Sequence, residues 1–218
     1  LAEALRVATA ITDGSSRAVA LAGLAPHLPA DQRANALAEA LRVATAITNE
    51  SSRAVALAGL APHLPADQLA EALRVATAIT DGSSRVVALA GLAPHLPADQ
   101  LAEALRAATA ITDESWRVVA LTGLTPHLPA DALVRVLQAN RGRDPQVARA
   151  VLARVRELPI PLTTPQGSLL VRLAFLQVRR FGCLQVSAEV AGQVASEVGV
   201  ATLTEYLSAI QVVCDWWP

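Results

Sequence analysis

A run of 32 residues occurs four times in this chain of 218. Residues 69–100 read LAEALRVATAITDGSSRVVALAGLAPHLPADQ, and nearly the same stretch stands at 1–32, 37–68 and 101–132. Repeats one and three differ only at Ala18 against Val86. A period of this length constrains the fold more than any composition does. One short unit cannot bury its own apolar face, so neighbours must stack to cover it. Near-identity of this kind points to recent tandem duplication or to a consensus design. The insertion Arg33-Ala34-Asn35-Ala36 between repeats one and two favours a natural origin.

Each repeat reads as two helices. In repeat four, Leu101, Ala104, Leu105 and Ala108 follow the i, i+3, i+4, i+7 pattern of one apolar face. Glu103 and Arg106 fall on the other side, three apart, where they can pair. Pro97 and Asp99 suit a first helical turn. The second helix starts after Asp113, a residue suited to the N-cap, and runs through Arg117 to about Leu124. Pro126 and Pro129 then end it. The second helices are apolar nearly all round, as in Val86-Val87-Ala88-Leu89-Ala90, so they are expected to be covered on several sides. The fold class expected is all-α: a right-handed α-solenoid of HEAT-like two-helix repeats with a helical C-terminal cap. Four inserted residues make about one helical turn, so the first helix of repeat two should be one turn longer and start near Pro29.

The division expected is 1–132 for the four repeats, 133–158 for a degenerate fifth and 159–218 for the cap. In the fifth, Asp144-Pro145 supply an N-cap and a first-turn proline. The stretch Leu158-Pro159-Ile160-Pro161 breaks helix, and five of the six aromatics lie from Phe175 onward, as a terminal cap that closes an exposed core requires.

Charge and residue usage limit the chemistry. All 18 basic residues are arginine. Without lysine there is no Walker A lysine, Schiff-base lysine or kinase-type ATP lysine. The net charge of −1 resolves into −4 over the four repeats, +4 over the fifth and −1 over the cap. That is not the electrostatic footprint of a nucleic-acid binder. The arginines at 135, 141, 143, 149, 154 and 156 have no aromatic between them and read as a solvated helix face. Cys183 and Cys214 read as buried free thiols of a cytosolic protein, with a disulfide between them left open. No signal peptide or membrane span is expected. With no methionine, the chain reads as a piece of a longer protein.

The phrase Ala-Leu-Ala-x-Leu-Ala-Pro-His-Leu-Pro at 56–65, with Leu69-Ala70-Glu71-Ala72-Leu73 and Ala-Ile-Thr-Asp-Glu-x-x-Arg at 110–117, resembles the HEAT-like repeats of large bacterial signalling ATPases of the STAND or NLR-like class. The ending Cys214-Asp215-Trp216-Trp217-Pro218 resembles the C-terminus of such proteins. The resemblance implies a cytoplasmic sensor or scaffold arm that binds a protein partner, with upstream ATPase and effector domains and no catalytic, cofactor or metal residue of its own.

Two ladders recur once per repeat. His27, His63, His95 and His127 tempt a metal reading. Adjacent repeats stand about 10 Å apart and metal–nitrogen bonds are about 2 Å, so no ion bridges two rungs. These histidines are expected to satisfy carbonyls where the second helix ends. Arg17, Arg53, Arg85 and Arg117 follow four residues after Asp13, Asn49, Asp81 and Asp113 and are expected to make local or inter-repeat polar contacts.

Comparing the repeats with one another marks a further set. The second helices vary at Gly14/Glu50/Gly82/Glu114, Ala18/Ala54/Val86/Val118, Ala22/Ala58/Ala90/Thr122 and Ala25/Ala61/Ala93/Thr125, positions within roughly 80° of one another on a helix. Ser16/Ser52/Ser84/Trp116 also varies but falls off this stripe. Either the stripe faces outward as part of a concave partner-binding surface, or repeat four differs there because it abuts the cap. Tyr206, Trp216 and Trp217 are either an interface or a cap core. The function expected is non-enzymatic protein interaction. The alternatives are a nucleic-acid-binding helical array and a designed consensus repeat protein.

Overall fold

A computed structural model describes residues 1–140 and 144–157. These residues are all-helical, with no strand among them. The chain divides into two compact units, Leu1–His127 and Leu128–Pro218.

In the first unit, the first helices are α1 (Ala2–Thr9), α3 (Ala30–Ala46), α5 (Ala66–Thr77) and α7 (Ala98–Thr109). The second helices are α2 (Gly14–Leu24), α4 (Glu50–Leu60), α6 (Gly82–Leu92) and α8 (Glu114–Leu124). Pro29, Pro65 and Pro97 precede α3, α5 and α7 as N-caps rather than lying in the first turn. The extended backbone of Pro65 lets its carbonyl accept the first helical bond, from the Leu69 amide at 2.9 Å.

Each second helix starts on a side-chain cap. Asp13, Asn49, Asp81 and Asp113 accept from the amides of Ser16, Ser52, Ser84 and Trp116 at 2.7 to 3.0 Å, satisfying a donor that the helix end leaves free. Each ends at proline. Pro26, Pro62, Pro94 and Pro126 have no N–H to continue the ladder, and one 3-10 turn follows at Ala25–His27, Ala61–His63, Ala93–His95 and Thr125–His127.

The four inserted residues lie inside α3, which has 17 residues against 12 for α5. They advance the helix by about 400°, leaving its apolar face nearly in phase. Leu37, Ala40, Leu41 and Ala44 are accordingly buried, as are Leu69, Ala72, Leu73 and Ala76 one repeat on. The inserted Arg33 also caps the preceding helix end: its Nε and Nη2 donate to the carbonyls of Ala25 and Leu28, each at 3.1 Å.

The second helices pack on their counterparts in order, α2 on α4, α4 on α6 and α6 on α8. The first helices do the same from α3 to α5 to α7, and each hairpin packs on itself. The core is leucine, alanine and valine, with Leu21, Leu57, Leu89 and Leu121 fully buried. The expected i, i+3 ion pair forms on the solvent side at Glu3–Arg6, Glu39–Arg42 and Glu71–Arg74, at 2.6 to 2.7 Å. Glu103 and Arg106 do not pair among the described residues. Exposed pairs of this kind stabilise little.

In the second unit, α9 (Ala130–Asn140) packs on α10 (Pro145–Glu157). Leu133, Val136 and Leu137 face Val147, Ala148 and Val151 as buried apolar sets at helical spacing. The buried Asn140 ties the turn, donating to the Asp144 carbonyl at 2.8 Å and accepting from its amide at 3.2 Å. Asp144 caps α10 through the Gln146 amide at 2.7 Å.

Candidate functional site

The stripe of variable positions does not face outward. Ala18, Ala22 and Ala25 are buried in repeat one, Ala54 and Ala61 in repeat two, Val86 and Ala93 in repeat three, and Val118 and Thr125 in repeat four. Ala58, Ala90 and Thr122 are half-buried. At the helix starts Gly14, Glu50 and Gly82 are likewise half-buried, and of the sixteen positions only Glu114 is exposed. The reading of this stripe as a partner-binding surface is therefore corrected. It is the seam between second helices. A Cβ added at Gly91 would strike Ala58, and one at Gly123 would stand 3.6 Å from the Ala90 Cβ. Small residues vary here because helices pass closely.

The outward sector lies on the other side. Val19, Val55, Val87 and Val119 are 53%, 54%, 45% and 48% exposed. On the helix, the valine position falls about 160° from the leucine two residues on, nearly opposite the buried Leu21. Trp116 stands in this sector in repeat four and is 42% exposed. The row thus presents one branched apolar side chain per repeat, with an indole in the last.

Three of the four ladder arginines make local contacts, with an acceptor the spacing alone did not name, and Arg17 donates no side-chain hydrogen bond among the described residues. Arg53 Nη1, Arg85 Nε and Arg117 Nη1 donate to the carbonyls of Ile47, Ile79 and Ile111 at 2.7, 2.6 and 2.8 Å. Each guanidinium folds back over its own loop and pins the end of the first helix. The histidine ladder departs from expectation. His27, His63 and His95 make no side-chain hydrogen bond among the described residues. The helix-end carbonyl of Ala25 instead takes the Leu28 amide at 3.2 Å, and those of Ala61 and Ala93 take the leucine amides of Leu64 and Leu96. No group of three or more histidine, cysteine or acidic side chains could hold a metal among the described residues.

Charge is concentrated at the loop end. The hydroxyl and amide of Ser16 and the Ser15 hydroxyl hold Asp13 down to about 2 from an ordinary 3.8. The Ser84 and Ser83 hydroxyls and the Ser84 amide do the same for Asp81, also to about 2. Glu50 crosses to the next repeat, and the Asp81 amide, the Thr80 amide and hydroxyl and Arg53 lower its carboxyl. Folding thus favours the ionised form of all three. Their contribution is complete above their ordinary values and disappears as pH falls through the lowered ones. Thermal melts followed by circular dichroism should show a melting temperature that holds near neutrality and drops between about pH 4 and 2. An undiminished melting temperature at the acid end would contradict these contacts.

Tyr206, Trp216, Trp217, Cys183, Cys214, Arg141 and Arg143 lie outside the described residues, as does the side chain of Arg156. Arg135 and Arg149 are exposed. No helix among the described residues is long and apolar enough to cross a membrane. No protein-family profile, curated protein or solved structure matches the chain.

Proposed function

We propose that this chain is a non-enzymatic protein-interaction scaffold, an α-solenoid of HEAT-like hairpins that serves as the sensor or scaffold arm of a larger bacterial STAND-type signalling ATPase. The single observation that carries the interaction reading is the outward row Val19, Val55, Val87, Val119 with Trp116. Isolated exposed apolar residues are ordinary on any surface. The same half-exposed valine at one place in four consecutive hairpins is a ladder of equal anchors, matched to an extended partner with apolar side chains at a regular spacing. The like-on-like packing of successive helices supports the solenoid. The sequence resemblance supports the parent class. In such a protein, partner binding along the row would bias the parent between resting and active states by its differential affinity for the two.

The test is a double variant, Val55→Arg with Val87→Arg. Both side chains are about half exposed, so arginine can reach water and the melting temperature should stay within a few degrees. Proteins retained from host extract by the wild-type chain should be lost by the variant, as expected when charge replaces a central apolar anchor. Identical retention by both chains would defeat the reading. Tight, steeply salt-dependent binding to duplex DNA would favour a nucleic-acid scaffold instead.

A further inference from the structure

The three junctions between consecutive repeats in Leu1–His127 close in different ways at their loop ends. Between repeats two and three, the Glu50 carboxylate accepts from the amides of Thr80 at 3.0 Å and Asp81 at 2.8 Å, and from the Thr80 hydroxyl at 3.1 Å. Arg53 donates to it at 3.3 Å. Between repeats three and four, Gly82 stands in the place of Glu50. There Trp116 covers it, and a Cβ on Gly82 would be 3.4 Å from the Trp116 Cδ1.

Between repeats one and two neither device is present. Gly14 replaces the glutamate and Ser52 replaces the tryptophan. A cleft of about 320 Å³ lies there, bordered by Gly14, Arg17, Val43, Ile47, Thr48 and Asn49. The amides of Thr48 and Asn49 correspond to those that hold Glu50 one junction on, and neither has an acceptor among the described residues. Arg17 corresponds to Arg53 but donates no side-chain hydrogen bond among the described residues.

We propose that this cleft binds the carboxylate of an outside ligand, either a small alkyl carboxylate or the acidic side chain of a peptide. The amides of Thr48 and Asn49, the Thr48 hydroxyl and the Arg17 guanidinium supply the donors. The chain itself provides the precedent. In the next junction the same constellation holds a carboxylate on a two-methylene stem, and the contact is favourable enough to lower the pKa of Glu50. Charge-assisted bonds from paired amides and a guanidinium suit an anionic oxygen pair.

The surrounding acids do not oppose this more than they do at Glu50. Asn49 takes the place of Asp81 on the donor side, while Asp13 takes the place of Asn49 on the other. Asp13 is engaged by the Ser15 hydroxyl and the Ser16 amide, each at 2.7 Å. Glu39, a carboxylate that feels Arg17, is paired with Arg42 at 2.7 Å. The site is independent of the valine row and stands or falls separately.

The experiment is an amide-shift titration of the full chain. Sodium propionate is one arm, a blocked tripeptide with a central glutamate is the other, and sodium chloride at matched ionic strength is the control. Thr48 and Asn49 should move saturably with at least one carboxylate and not with chloride. Movement with propionate marks a free carboxylate as sufficient. Movement with the peptide alone marks an acidic side chain as the ligand. Gly14→Glu should fill the cleft with its own carboxylate and weaken binding roughly tenfold or more, the ratio for one lost charge-assisted contact. Glu50→Gly should open a second site, adding carboxylate-dependent shifts at Thr80 and Asp81. If neither probe moves Thr48 and Asn49 beyond chloride, or if binding is unchanged in Gly14→Glu and no new shifts appear in Glu50→Gly, the proposal is overturned.

Discussion

Gly91→Ala should destabilise the chain by about 1–3 kcal/mol, the usual cost of overpacking a tight contact. Added methyl groups normally strengthen a helix, because glycine costs about 1 kcal/mol relative to alanine. At Gly91 that gain is overridden. The new Cβ would run into the Ala58 methyl and stand 2.8 Å from the Ala58 Cα, which is backbone and cannot rotate away. The equivalent change at Gly59 meets nothing within 4 Å and should be neutral or stabilising by up to about 1 kcal/mol. Two identical substitutions at equivalent positions of adjacent repeats therefore differ in sign. Urea unfolding of both variants checks this. Equal effects would mean that α4 and α6 do not approach as closely as described.

The second large effect separates two neighbouring residues. Ala54→Arg should cost several kcal/mol, since Ala54 is 1% exposed in the seam and a guanidinium there would be buried without a partner. Val55→Arg, one residue on, points the same charge into water and should change stability by no more than about 0.5 kcal/mol. One helical residue turns the side chain by about 100°, which carries it from the interior to the open side. Soluble, cooperative unfolding of Ala54→Arg at the wild-type midpoint would show that the seam is open to solvent.

The hairpins were legible because local signals agreed. The i, i+3, i+4, i+7 spacing of Leu101, Ala104, Leu105 and Ala108 set one buried face, and the Asp81-type caps and Pro94-type stops set the ends. The insertion at Arg33 was readable because four residues make nearly a whole turn. What hydropathy could not supply was the rotation of the second helices. Almost every residue there is apolar or small, so no polar face marks the outside. Variation among repeats does not by itself distinguish an exposed face from a packed one. At Ala58 and Ala90, which stand against Gly91 and Gly123, it reflects how closely two helices pass. A usable signal was present: the large Leu21, Leu57, Leu89 and Leu121 fix the inward direction, and the valines two residues before them fall about opposite. The acceptors of the arginines escaped the sequence for another reason. The bond from Arg85 to the Ile79 carbonyl spans a loop, where helical spacing rules do not apply.

The orientation of the second helices carries the whole account, and thiol labelling measures it directly. Val55→Cys and Ala54→Cys variants would be modified by a water-soluble maleimide and read peptide by peptide, so that Cys183 and Cys214 are counted apart. The account predicts that a thiol at 55 reacts at nearly the rate of a free peptide. A thiol at 54 should react at least about a hundredfold more slowly, because it must wait for local opening of the packed seam. Equal rates, or faster labelling at 54 than at 55, would contradict it.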